Sequence, residues 1–349
     1  MGYSDFAGFN KKSAGLNRQF LFPVLKVAGG IDLAQTYVHD PVDTTKTDRI
    51  VLGGWSGYCV KGNPGIANQY AYAAMSINQT WFRQRPEVSP TYGKLWHESL
   101  LAITALAVTQ SEYKRLPYMY SLLENDDIPE GFLYELLMGY EFGEYKNREF
   151  LGIRGGRGVT LPNSSFLYLK GGFESFISQS DFEQGVFSLE PLYITPMKTV
   201  GKFHTRTFFK QRIVLGFNRF RGESLRLSTD DYFRGNHNLA GNNLISSGIV
   251  RDYVTPWDIL GFRLSIFGFM DGSLMSKDLA KSNMSNVLIT EGTGLRIRNP
   301  HLVWKSLELR MTANQNKGQP GSLEFALIAK VPLKLEDFEG HRPEPYTFK

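Results

Sequence analysis

The chain has one cysteine, Cys59, in 349 residues, which excludes a disulfide framework and any site built from several thiolates. It contains no run of eighteen apolar residues, so no helix of membrane-spanning length is encoded. Histidine is scarce, with six residues and none at metal-ligand spacing, so neither a metal nor another cofactor is expected. Neither a G-x-S-x-G elbow nor an H-E-x-x-H motif occurs, and spacing singles out no carboxylate pair, so no enzyme activity is expected. The glycine-rich run Gly152-Ile153-Arg154-Gly155-Gly156-Arg157-Gly158 lacks the G-K-S/T of a phosphate loop and reads as a bend or hairpin. The 39 Lys and Arg exceed the 34 Asp and Glu, but they alternate with apolar residues and form no basic stripe. Nucleic acid is therefore not an expected partner.

Aromatic residues (25 Phe, 17 Tyr, 5 Trp) and 35 glycines are what the chain has in quantity. They fall within long stretches of period-two alternation. From Thr207 to Phe217, Phe209, Ile213, Leu215 and Phe217 share one face, and Arg206, Lys210 and Arg212 the other. Phe132–Phe142 sets Tyr134, Leu136, Met138 and Tyr140 against Glu135 and Glu141, and Leu307–Ala313 sets Leu309 and Met311 against Glu308 and Arg310. Strands of ten or more residues with one apolar and one charged face suit a membrane barrel better than a soluble sandwich, whose strands run about five or six.

Fifteen such segments begin near Ser13, Val24, Thr47, Gln69, Ser99, Gly131, Arg148, Ser164, Gly185, Phe203, Leu244, Gly261, Asn286, Lys305 and Ser322. Single-chain barrels of this type have an even number of strands, so either one strand escapes the alternation or the chain lacks one. Glu98–Tyr113 would also make a fair helix by propensity and is read as a strand from its Thr and Val content. Two connections are long, Glu87–His97 and Arg219–Asn243.

The second of these carries Phe233-Arg234-Gly235, and Phe269-Met270-Asp271-Gly272 follows on a later strand. In these motifs the chain resembles the BamA/TamA and two-partner-secretion superfamily of outer-membrane barrels, the bacterial surface antigen family. There an R-G-F/Y signature lies in a sixth loop tucked into a sixteen-stranded barrel, and an F-x-D-x-G strand supplies the partner carboxylate. The final glycine of that second signature is Ser273 here, and Asn236 stands where an aromatic usually follows R-G. Five strands follow the loop, as in the family, and ten precede it where the family has eleven, so the missing strand is expected to be the first. The resemblance covers most of the chain from about Gly131, and Asn125–Gly131 is similar to turns of Bacteroidetes-type members.

The resemblance implies an all-β, sixteen-stranded-type antiparallel transmembrane barrel over residues 1–338, a lumen loop over about 219–243 and a C-terminal tail over 339–349. It implies a loop lock between Arg234, flanked by Phe233 and Gly235, and a lumen site at Asp271 with Phe269 and Gly272. It also implies a lateral seam along the last strand, Leu323, Phe325, Leu327, Ala329, Val331 and Leu333. The implied location is the bacterial outer membrane. Implied partners are its lipid, unfolded outer-membrane client proteins, periplasmic POTRA modules and accessory lipoproteins. No POTRA-like sequence and no secretory leader occur in residues 1–349; since a protein bound for the outer membrane needs a leader, the sequence is expected to be a mature or cropped form or to lack its true N-terminus. The expected function is insertion or translocation of other polypeptides without covalent chemistry, with a two-partner-secretion transporter or a plain diffusion porin as alternatives.

Overall fold

The computed structural model describes residues 2–6, 9–21, 24–39, 46–62, 65–117, 125–179, 181–227, 239–277, 286–299, 306–316, 321–329, 335 and 337–347. Its strands are β1 (Gly2–Phe6), β2 (Phe9–Arg18), β3 (Val27–His39), β4 (Lys46–Lys61), β5 (Gln69–Gln84), β6 (Ser99–Pro117), β7 (Asn125–Gly143), β8 (Arg148–Thr160), β9 (Phe166–Ser178) and β10 (Asp181–Ile194). There follow β11 (Lys198–Val200), β12 (Phe203–Phe217), β13 (Leu225–Leu227), β14 (Leu239–Gly241), β15 (Asn243–Ile259), β16 (Phe262–Ser276), β17 (Asn286–Arg298), β18 (Ser306–Asn316) and β19 (Ser322–Ile328). Seventeen of them form one sheet in which sequential neighbours pair antiparallel, and β13–β14 is a separate small hairpin. Since β11 continues β10 along β12, the described residues supply sixteen wall positions.

The fifteen segments expected from alternation are β2–β10, β12 and β15–β19. The sixteenth is β1, the first strand, as the family count implies. The sequence hid it because Gly2-Tyr3-Ser4-Asp5-Phe6 has too few residues and no apolar face. The ambiguous segment is β6, paired over its length with β5 and β7, so tertiary pairing overrides its helix propensity. Two expectations need correction. The glycine run is no bend, since Gly152–Gly158 lies inside the straight strand β8, paired residue by residue with β7 and β9. Among the described residues the last strand ends at Ile328, opposite Glu308, although β18 runs on to Ser306, so Ala329 lies beyond the ladder. Val331 and Leu333 lie outside the described residues.

The sheet is inside-out relative to a soluble protein. Leu136, Met138, Leu151, Ile153, Phe209, Ile249, Ile266, Met270, Leu309 and Met311 are exposed, while Glu135, Glu174, Arg206, Lys210, Asp271, Arg296 and Arg310 are buried. An apolar exterior with charges enclosed fits a wall that has hydrocarbon outside. The enclosed faces of β3 to β16 converge on one cluster, including Ala28, Trp55, Tyr72, Leu133, Tyr168, Phe208, Val250 and Phe267, which shows the sheet rolled around a lumen. This cluster lies toward the short-turn end of the barrel; the connections at 85–98 and 218–242 crown the other end.

Candidate functional site

The lumen wall is built from inward positions that the period-two pleat delivers strand by strand. On β7, β8 and β9 these are Glu135, Arg154 and Glu174. Glu135, almost wholly buried, accepts from Arg154 Nε at 2.5 Å and from the Tyr72 hydroxyl of β5. Arg154 also lies 3.7 Å from Glu174. A second network occupies the opposite wall, where Arg296 of β17 donates to Asp252 of β15 at 2.9 Å and to Glu308 of β18 at 3.2 Å. Its guanidinium also lies 4.8 Å from the Phe267 ring centre. Planar guanidinium groups paired bidentately or shared between two acids are the form in which charge is tolerated in a partly dry lumen.

The tail lies between these walls. Residues 337–347 are irregular, and they run from the short-turn end to the loop end in contact with strands far away in sequence. Four contacts are made to tail main-chain groups. The Thr109 hydroxyl donates to the Phe338 carbonyl, Ser76 Oγ donates to the Pro343 carbonyl at 2.6 Å, and Arg154 Nη1 donates to the Glu344 carbonyl at 3.1 Å. The fourth runs the other way, from the Tyr346 N–H to Glu174 Oε2 at 2.8 Å. Pro343 and Pro345 have no N–H to satisfy, and their fixed φ stiffens the segment before it docks.

Three side chains anchor the tail. Phe338 is buried against Tyr168, with ring centres 5.8 Å apart. Arg342 donates to the Asp32 carboxylate of β3 and the Asn78 side-chain oxygen of β5, and its Nε is 3.0 Å from Glu344. The Tyr346 hydroxyl lies 3.4 Å from Arg212 Nη2 on β12.

Glycines make room for two of these anchors. A Cβ on Gly53 would meet the Arg342 guanidinium and stand 2.8 Å from both Asn78 Oδ1 and Asp32 Oδ1. The Phe338 ring rests 3.4 Å and 3.2 Å from where Cβ atoms would sit on Gly156 and Gly158. Within the tail, Gly340 threads between rings; a Cβ there would lie 2.7 Å from Phe20 and 2.9 Å from Tyr72. The run that resembled a phosphate loop is thus part of a floor for an aromatic side chain.

At the loop end a cavity of about 840 Å³ remains between Tyr346, the wall and the first residues of the long loop, Arg219, Phe220 and Glu223. Arg219 pairs with Glu223 at 2.9 Å and donates to the Gln184 carbonyl. Burial pushes its guanidinium below the ordinary value, and Glu223 draws it back. Further along, Leu225 is buried among Val186, Val214, Leu244, Met275 and Leu288, so the base of the loop turns inward. The connection 85–98 is clamped alongside: Arg85 holds Glu144 at 2.5 and 2.9 Å and the Trp96 carbonyl at 2.8 Å. The Arg85 hydrogen bond holds the Glu144 carboxyl below its ordinary range.

The sequence-derived site residues fall as follows. Phe233, Arg234 and Gly235 lie outside the described residues. Asp271 is completely buried on the inward face of β16 with Phe269. A Cβ on the neighbouring Gly248 would collide with its carboxylate and stand 3.3 Å from Lys210 Cε. Gly272, with Met270, occupies the outward face. Ser273, standing where the signature has glycine, faces Ser246 with hydroxyls 2.7 Å apart. Leu323, Phe325 and Leu327 are strongly exposed along β19. Sequence reasoning missed the tail's lodging place altogether, as well as Asp32, Ser76, Asn78, Thr109 and Glu174. Glycines on inward wall positions were the one signal that something else fills the space.

No family model and no curated protein matches the sequence. Among solved structures the chain is similar to CdiB from Escherichia coli, at 11% identity and a TM-score of 0.40 over 93% of this chain and 62% of that one. It is also similar to CdiB from Acinetobacter baumannii, at 9% identity and a TM-score of 0.37 over 89% of this chain and 56% of that one. The chain therefore spans less than two thirds of the length of either.

Proposed function

We propose that this protein is an outer-membrane barrel of the BamA/TamA and two-partner-secretion type that passes polypeptide chains through its lumen without covalent chemistry. One observation carries this reading: the lumen already holds a length of polypeptide, and the wall meets four of its main-chain groups as well as its side chains. Main-chain contacts are indifferent to side chains, as a channel handling varied sequences requires. A diffusion porin would need an open lumen, and an insertase would act at the wall. Insertion remains the second reading, because the strand registers end at β1 and at the short β19, where a client strand could add to an edge. In either reading an Arg234–Asp271 pair would brace the loop against β16.

The test is reconstitution of the protein in lipid vesicles with an unfolded, fluorescently labelled polypeptide outside. Translocation requires the label to become protease-protected in the interior. Label that becomes integrated in the bilayer as a folded barrel would favour the insertase. Steady small-ion conductance without polypeptide transfer would favour the porin.

A further inference from the structure

We infer that the inner wall is a recognition track for an extended polypeptide bearing an aromatic, an arginine and an aromatic at four-residue spacing, and that residues 337–347 are its resident occupant. The inference rests on the polypeptide-handling reading and names the segment that would compete for the track.

The anchors Phe338, Arg342 and Tyr346 are four residues apart. From first to last they take eight residue steps, which at about 3.3 Å per extended residue span about 26 Å. The apolar band of an outer-membrane barrel is about 25 Å tall. The tail therefore reaches across the barrel, and its contacts climb in order. Phe338 meets Thr109 and Tyr168 in the short-turn half, Arg342 meets Asp32 and Asn78 at mid-height, and Tyr346 meets Glu174 and Arg212 in the loop half.

Each anchor meets a different chemistry. The glycine floor of β8 admits a flat ring. The notch over Gly53 offers a carboxylate and an amide oxygen to a guanidinium, and any larger residue at 53 would fill it. Tyr346 has an acid for its N–H and an arginine beside its hydroxyl. Between the anchors the wall meets the Pro343 and Glu344 carbonyls, which any sequence presents, and the His341 ring, whose Nε2 lies 3.0 Å from Arg154 Nη2 and 3.5 Å from Glu135. A client with the same spacing satisfies the same groups, so the tail is both plug and competitor; its departure is the step that opens the lumen.

The experiment uses the full-length protein in detergent and a fluorescent synthetic peptide of residues 335–349. Three forms are compared by fluorescence anisotropy: the wild type, a tail-weakened form (Phe338→Ala, Arg342→Ala, Tyr346→Ala), and that form with Gly53→Val added. All three must keep the heat-modifiable gel mobility of a closed barrel. The tail-weakened form is expected to bind the peptide at least tenfold more tightly than the wild type. Gly53→Val is expected to reverse that gain, and a peptide with its three anchors scrambled is expected not to bind. Equal binding by the wild type and the tail-weakened form, or binding by neither, overturns the inference. Should Gly53→Val perturb the wall, Asp32→Ala with Asn78→Ala empties the same notch without adding bulk, and unchanged binding there also overturns it. Peptide binding without vesicle translocation would sink the transport reading and leave the track standing; translocation without peptide binding would do the reverse.

Discussion

Replacing Glu135 by alanine puts the lumen's electrostatics to the test. The Glu135 side chain is 1% exposed and accepts from Arg154 at 2.5 Å and from Tyr72, so its removal leaves a buried guanidinium and a buried phenol short of their acceptor. Breaking a buried, hydrogen-bonded pair typically costs about 3–5 kcal/mol. Here Glu174 remains 3.7 Å from Arg154 and partly compensates, which places the expected loss near the lower end. A loss of about 3 kcal/mol is roughly a hundredfold shift in the unfolding equilibrium. Glu135→Gln keeps an acceptor of the same shape and is expected to lose about half as much. Because Arg154→Ala breaks the same ion pair from its other side, the double variant Glu135→Ala/Arg154→Ala should be less destabilised than the sum of the singles by about 1–3 kcal/mol. Urea unfolding in lipid vesicles, read by tryptophan fluorescence, measures all four. Losses below about 1 kcal/mol that add without coupling would refute a dry, mutually dependent network.

Arg234→Ala and Asp271→Ala are each expected to destabilise the barrel by about 3–5 kcal/mol, with the double variant little worse than either, as a lock between the two requires; additive losses in the same unfolding assay would separate them. Phe338→Ala removes the tail's buried aromatic anchor and is expected to speed protease cleavage within the tail at least tenfold while leaving barrel unfolding nearly unchanged. The pH response of the 85–98 connection follows from Glu144. Its folded value is held below the ordinary 4.5, mainly by Arg85, so the stability it supplies is present above that pH and is lost as pH falls through the lowered value. Hydrogen exchange around Trp96 should therefore accelerate in acid below about pH 4.5, with His97 and Glu98 as the other charges at the clamp, and Glu144→Gln should remove the dependence.

The wall was legible because its rule is local. Alternation over ten or more residues places Phe209 outside and Lys210 inside without reference to any partner, and the same parity puts Asp271 in the lumen. β1 escaped because five residues carry no period. The tail was illegible for another reason. Ser76 and Pro343 are 267 positions apart, and Asp32 and Arg342 are 310 apart, so no window of sequence contains both halves of a contact. Pro343 and Pro345 interrupt the period-two pattern, but nothing around them says where a stiff segment would lodge. Gly53, Gly156 and Gly158 carried the complementary half of the message, but in isolation the run holding Gly156 and Gly158 reads as a bend or hairpin.

The central claim, that the tail occupies the lumen, can be tested by cross-linking in the membrane. With Cys59 replaced by serine, cysteines placed at Ser76 and Pro343 are treated with a short bifunctional maleimide in intact vesicles. Ser76 Oγ lies 2.6 Å from the Pro343 carbonyl, so near-complete intramolecular cross-linking is expected, together with loss of peptide binding at the track. Free labelling of both cysteines without a cross-link would place the tail outside the lumen and contradict the account.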